Sequence, residues 1–278
     1  MHSKAGRKRI IRRWLPQGLR DLFNYWAGYA IFYRGEYVDW ASAQAAAGGY
    51  DDDALLRRFT EAALAVKLGN AAWERDGVIW DHIPANMPLF AALGRVALAQ
   101  GGRLSVLDFG GALGSSYIQC RNFFTEAVEL TWSVVEQPKL VTVGQQRIAH
   151  DNLYFYSTIS QVIAAQRPNV ALLSSVLQYL EQPWEVLDQI IAAGIPYLVI
   201  DRHPCSVTHE LITIQVIPSS LYPASYPSWL FDCPRMLAIL AQQYRLLATW
   251  EGKDPQIRGW GKAAEFNGYF LQRKVYAY

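Results

Sequence analysis

Cysteine is scarce in this 278-residue chain: Cys120, Cys205 and Cys233 are the only three. None forms a C-x-x-C pair, so the spacing predicts neither a disulfide framework nor a zinc knuckle. A reducing cytosol is the expected compartment, and no metal is expected. Long apolar runs are missing as well. No stretch of about eighteen apolar residues occurs, which argues against a spanning helix. Pro16 and the charges around it interrupt any secretory core near the N-terminus. Strong net charge is also lacking. At +2 the chain as a whole does not read as a nucleic-acid-binding protein.

What is present is a foldable core: 51% of residues are apolar and 18% charged. Aromatics reach 13%, with ten Trp and sixteen Tyr, enough to fill a core or wall a pocket. Charge is unevenly placed. Residues 1–20 hold seven Lys/Arg and no acid; removing those seven from 26 leaves 19 basic against 24 acidic, a net of −5. Residues 1–35 therefore read as a basic amphipathic arm. Ile10, Ile11, Trp14, Leu15, Leu19, Leu22, Phe23 and Trp26 alternate with arginines. Such an arm suits an anionic membrane surface, packing on the body, or pairing in a homodimer.

Residues 36–102 read as a helical cap region. Asp39 caps a short helix, Asp51 to Asp53 open a longer one, and Pro84 to Ala99 supply a third. From residue 103 to 278 strands and helices alternate. Short apolar strands are expected at 104–109, 132–136, 153–156, 170–174 and 197–201, indicating a mainly parallel sheet covered on both faces. Two later strand-like runs, Tyr244 to Trp250 and Tyr269 to Arg273, suit an antiparallel pair at its edge. Residues 205–232 look like a lid-like insertion, with Leu211 to Val216 strand-like.

The strongest local signal is Leu107-Asp-Phe-Gly-Gly-Ala-Leu-Gly-Ser-Ser116, a glycine turn after a strand and before a helix. Gly110, Gly111 and Gly114 permit a tight turn and close approach to a ligand. No Lys follows Gly114, so this is not a phosphate loop, and the spacing is not G-x-G-x-x-G. Asp108 before the turn would repel a pyrophosphate. It suits the amine of S-adenosylmethionine better. Glu136, ending the next strand with Gln137 behind it, is placed to bond ribose hydroxyls. Ser174 and Ser175 end the fourth strand, where ligands on such sheets sit, and Gln178 and Tyr179 follow.

These motifs, Val106-Leu-Asp-Phe-Gly-Gly-Ala-Leu-Gly114, Val134-Val-Glu-Gln-Pro138 and Leu172-Leu-Ser-Ser-Val-Leu-Gln-Tyr-Leu180, resemble class I S-adenosylmethionine-dependent methyltransferases. More narrowly, the chain resembles a bacterial methyltransferase family found beside surface-polysaccharide genes. That likeness extends to Gly48–Asp53, Ala71–Val78, Asp201–Pro204 and Tyr226–Trp229. It implies a Rossmann-like α/β fold, a seven-stranded sheet with an antiparallel hairpin end, and S-adenosylmethionine as cofactor. It implies that Asp108 and the Gly110, Gly111, Ala112, Gly114 loop meet the methionine part, and Glu136 the ribose. It implies that the Ser174-Ser175 strand end lies beside the sulfonium and the acceptor. Ala112 departs from the class pattern, where glycine is common, and its methyl is expected to require an ordinary backbone conformation.

Methyl transfer from a sulfonium is direct displacement, helped for an alcohol acceptor by a base. Candidate bases are His203, Asp201 and Glu210, with His82 reaching over the site from the cap region. Tyr179, Arg202, Tyr226 and Trp229 are candidate acceptor contacts, with Arg202 suited to a phosphate or carboxylate. The expected activity is O-methylation of a saccharide or lipid-linked glycan in polysaccharide biosynthesis. The setting is cytoplasmic, with peripheral contact at the inner membrane face. A non-catalytic subunit binding an adenosine cofactor is the alternative, and an NAD-dependent oxidoreductase a further one.

Overall fold

The computed structural model describes residues 32–49, 52–124, 126–150, 152–217, 223–252, 258–259 and 262–275. The expected arm lies outside these residues up to position 31, as does Asp51.

Strand β1 (Phe32–Tyr37) takes up the last residues assigned to the arm. Helix α1 (Trp40–Ala46) starts where Asp39 accepts from the Ser42 amide at 2.7 Å, satisfying one orphan donor. Helix α2 (Asp52–Lys67) carries two acids in its first turn and Lys67 in its last, as the helix dipole favours. The cap region is not wholly helical, however. Strands β2 (Trp73–Arg75) and β3 (Val78–Trp80) form a hairpin. Its turn is Asp76-Gly77, at φ 52° and 71°, the two left-handed positions that a two-residue hairpin needs. Helix α3 (Met87–Ala99) then begins at an Asn86 cap and ends before Gly101 and Gly102, both at positive φ.

The alternating part follows as β4 (Arg103–Phe109), α4 (Ser115–Arg121), β5 (Glu129–Val135), α5 (Pro138–Val143), β6 (Leu153–Tyr156), α6 (Ile159–Gln166), β7 (Val170–Ser174), α7 (Pro183–Ala192) and β8 (Tyr197–Ser206). After it come β9 (Leu211–Ile217), β10 (Ala224–Leu230), α8 (Cys233–Leu240), β11 (Tyr244–Glu251), β12 (Arg258–Gly259) and β13 (Lys262–Arg273). The main sheet has the order β11-β13-β8-β7-β4-β5-β6, with the two-residue β12 beside β13. Strands β4 to β8 are mutually parallel; β13 runs antiparallel to both β8 and β11. This is the mainly parallel sheet with an antiparallel edge pair that the sequence predicts, with the seven strands that the family resemblance implies.

Strand residues explain the two-sided cover. Leu104, Val106, Val170, Leu172 and Val199 point into a core shared with Leu89, Phe90, Leu93 and Tyr117. Their neighbours Leu107, Ala171, Leu173, Leu198 and Ile200 point the other way, onto Val162, Leu187, Ile190 and Met236. Every residue of such a strand is buried, so the run reads as apolar rather than alternating. Strands β5 and β6 lie to one side of β4, and β7 and β8 to the other. The order in which strands are added reverses there, and the crevice beyond the ends of β4 and β7 is the place where ligands on such sheets bind.

The expected lid is instead a second sheet. β9 pairs antiparallel with both β1 and β10. One face packs Leu211 and Leu230 on Ala264 and Phe266, and the other packs Ile212 and Ile214 on Ala43 of α1. Pro227 is tolerated within β10 because it is an edge strand. A second correction concerns the cysteines. Cys205 and Cys233 form a disulfide with Cα atoms 5.5 Å apart, and Cys120 is buried and free. The end of β8 and the start of α8 bring together residues 28 positions apart, which spacing does not reveal. Among the described residues no helix is long and apolar enough to cross a membrane.

Candidate functional site

The glycine turn closes through a bond from the Gly114 amide to the Gly111 carbonyl, 2.9 Å. Gly110 has φ 71°, and a Cβ there would lie 2.2 Å from Val176 Cγ2, so only glycine lets the β4 and β7 loops meet. A Cβ on Gly111 would lie 2.5 Å from Asp108 Oδ2; the carboxylate sits directly under the turn. Ala112 has φ 49°, contrary to the expectation of an ordinary backbone there. It keeps the left-handed geometry that glycine adopts freely, at a cost of about 1 kcal/mol.

Asp108 is 0% exposed. Its Oδ2 accepts from the Trp132 indole at 2.9 Å, while Oδ1 is buried with no partner. Burial pushes this carboxyl up to about 7, against a smaller opposing effect of the indole bond. Glu136 bridges the turn to the next strand end: Oε1 accepts from the Ala112 amide at 3.2 Å, and Oε2 from the Gln137 amide at 2.8 Å. Half-buried, its carboxyl is also raised, chiefly by desolvation. The exposed Gln137 contributes its backbone at the start of α5. Two carboxyl groups thus flank one glycine turn, the deep one with an unused acceptor atom. A cationic amine suits that atom, since it would supply the missing donor and favour the ionised form.

Across the crevice, Ser174 faces β8. Its hydroxyl stands 3.4 Å from Asp201 Oδ2 and accepts from Arg202 Nε at 3.3 Å. Ser175 is left-handed at φ 55°, and its hydroxyl accepts from Gln178 Nε2 at 2.7 Å. Asp201 is not available as a base. Its Oδ2 also accepts from Asn86 Nδ2 at 3.0 Å, and its Oδ1 from Trp250 Nε1 at 2.9 Å. It ties the α3 cap and β11 to the strand end.

The β2–β3 hairpin forms a roof that sequence reasoning missed. The Trp73 indole donates to the Ser115 carbonyl at 2.9 Å, and the Ser115 hydroxyl donates to Glu74 Oε1. Arg75 lies over the Trp73 ring at 4.7 Å and reaches Gln119 Oε1 at 3.5 Å. Glu74 is buried, and desolvation raises its carboxyl to about 7. The roof is therefore pinned to the N-terminal end of α4, next to the turn. The dipeptide Asp76-Gly77 between Trp-Glu-Arg and Val-Ile-Trp was the available signal.

Both histidine expectations require correction. Arg202 sits at φ 52°, and the β8–β13 register shifts between Asn267 and Tyr269. This bulge turns His203 to the opposite face from Asp201. Its ring packs 4.4 Å from Phe231, is 1% exposed, and its Nε2 has no partner. Burial lowers its pKa to about 3, so it is a neutral core group and not a base at the crevice. His82 is exposed and bonds Asp81 at 2.6 Å beside Trp80, with no bond to the turn or to the strand ends among the described residues. Glu210 pairs with Arg235 at 3.2 Å. Of the aromatic candidates, Tyr179 meets Tyr226 edge-on at 5.3 Å and bonds Gln215 at 3.1 Å. Trp229 instead stacks on Trp40 at 6.3 Å and caps the Leu180 carbonyl at 3.0 Å, a packing role between α1 and the sheet.

No protein-family model matches the chain, and no curated protein matches it in sequence. Among solved structures it is similar to several proteins at low identity. The N-terminal domain of EvdMO1, crystallised in the presence of S-adenosylhomocysteine and D-fucose, is 12% identical. That match covers 82% of this chain and 98% of that one, with a TM-score of 0.43. Magnesium protoporphyrin IX methyltransferase (ChlM) from Synechocystis PCC 6803 with bound S-adenosylhomocysteine is 13% identical over 66% and 80% of the two chains, TM-score 0.41. The mitomycin 7-O-methyltransferase MmcR is 14% identical over 66% and 54%, TM-score 0.42. At these values the chemistry of this chain rests on its own residues.

Proposed function

We propose that this chain binds S-adenosylmethionine in the crevice beyond β4 and β7 and transfers its methyl group to a small-molecule or glycan acceptor. One observation carries the reading: a glycine turn flanked by Glu136 and by an Asp108 oxygen that is buried without a partner. Asp108 would take the cofactor's ammonium, Glu136 the ribose hydroxyls, and the turn amides the space between them. When bound, the sulfonium supplies an electrophilic methyl carbon. The chain's own part is to align that carbon with the acceptor and to keep water out beneath the Trp73–Arg75 roof.

Finer features follow from the sequence. The acceptor is a saccharide or lipid-linked glycan, methylated on oxygen, as the narrower family resemblance implies and the Tyr179–Tyr226 wall accommodates. The protein works in the cytoplasm, its basic arm touching the anionic inner face of the membrane, and a homodimer is compatible with that arm. The Cys205–Cys233 disulfide is the observation that weighs against that compartment.

The alternative of a non-catalytic cofactor-binding subunit is favoured by one observation, that the foremost candidate base, His203, is buried in the core and faces away from Asp201. Calorimetry with S-adenosylmethionine, S-adenosylhomocysteine and NAD separates adenosyl-sulfur from nicotinamide binding. Transfer of labelled methyl into fractionated cell extract then separates enzyme from subunit. Binding of NAD in place of S-adenosylhomocysteine would reject the proposal.

A further inference from the structure

Arg202 is the first residue of β8 past its last parallel pairing, Ser174 with Asp201. Asp108, Ser174 and Asp201 follow Val106, Leu172 and Val199 by two residues, on the face that carries the crevice. The bulge holds Arg202 at φ 52°, a conformation that costs an arginine about 1 kcal/mol or more and recurs where function requires it. Its Nε donates to Ser174 Oγ at 3.3 Å, which fixes the guanidinium plane on that face. Its two terminal amino groups have no bond within the chain among the described residues, and it belongs to none of the ion pairs there. Neighbouring Asp201 makes no ion pair with it; its two oxygens accept instead from Asn86, Ser174 and Trp250.

The half-buried guanidinium lies within electrostatic reach of Asp108 on the cofactor side and of Tyr179 on the aromatic side. Arg75 also acts on Asp108, and Asp76 on Tyr179, so both signs of charge surround the opening. A planar fork anchored through Nε and presenting its remaining donors matches the geometry of a carboxylate or phosphate.

We propose that the acceptor carries an anionic group, a carboxylate or a phosphate, which Arg202 binds between the Ser174 end of β7 and the Tyr179–Tyr226 wall. This rests on the methyl-transfer reading above, and the two are tested separately. The full chain, loaded with S-adenosylhomocysteine, is titrated calorimetrically with D-glucuronate, glucose 6-phosphate and D-glucose. At least one anionic sugar is expected to bind, and glucose to bind at least about tenfold more weakly. Whichever anionic sugar binds identifies the group. Arg202→Gln is expected to weaken that binding at least about tenfold, with S-adenosylhomocysteine affinity within about twofold of the parent. Arg202→Lys keeps the charge but not the fork and is expected to fall between. Equal binding of glucose, no binding of either anion, or undiminished anion binding by Arg202→Gln would overturn the proposal. Failure of the unsubstituted chain to bind S-adenosylhomocysteine would instead reject the methyl-transfer reading, and this inference with it.

Discussion

Asp108 ends one strand of the main sheet and Asp201 marks where β8 leaves its parallel partner; both are buried on the same face, yet their oxygens keep different company. Asp201 accepts from Asn86, Trp250 and Ser174, with both oxygens engaged. Asp108 accepts from Trp132 alone and leaves Oδ1 unmatched. A satisfied buried carboxylate holds elements together. One left short of a donor costs stability in the free protein and has something to gain from a ligand. Asp201 therefore reads as a structural tie between the α3 cap, β11 and β8, and the β4 end as the place prepared for a cation.

That contrast breaks most visibly at Asp201. Replacing it with Ala strands three donors and is expected to cost on the order of 3 kcal/mol in urea unfolding. A cost below about 1 kcal/mol would mean that the tie is dispensable. Asp108→Asn is expected to do the opposite. The Asp108 carboxyl, raised to about 7, keeps its proton in the folded chain after the unfolded chain has lost it near pH 4. Its contribution to stability therefore falls as pH rises from about 4 to 7 and stays low above that. The Asn variant of the ligand-free protein is expected to be more stable at pH 8 by about 2 kcal/mol, and equal to the parent near pH 4. It is also expected to bind S-adenosylhomocysteine at least about tenfold more weakly. Ala112→Gly sharpens the comparison at the small end. Removing the left-handed penalty at φ 49° offsets the greater freedom of unfolded glycine, for a net gain of at most about 1 kcal/mol at unchanged cofactor affinity.

The cofactor side of this crevice was legible in the sequence because its information is local. A short apolar strand, an acid, a glycine turn and a second strand ending in an acid lie within about thirty residues, as such units do. The opposite side is built by long-range pairing. β1 joins β9 across the chain, with Phe32 opposite Val216, and no local pattern announces such a partner. The sequence hides the place of His203 for a subtler reason: strand alternation would keep it on the face of Asp201, but the bulge at Arg202 adds one residue and reverses it. The Cys205–Cys233 pair was hidden because the second sheet separates its members in sequence and returns them in space. The roof hairpin could have been read. Its Asp-Gly turn stood between two aromatic-rich triplets, in a segment whose flanks were helical.

Proton release on cofactor binding tests the central claim most directly. If Asp108 meets the ammonium group, its carboxyl must ionise as the complex forms, so calorimetry near pH 6.5 in buffers of different ionisation enthalpy should register release of up to one proton per S-adenosylhomocysteine bound. That release should vanish in Asp108→Asn at saturating ligand, even though the raised Glu136 carboxyl remains. Binding with no proton exchanged, or the same release from the Asn variant, would contradict the account.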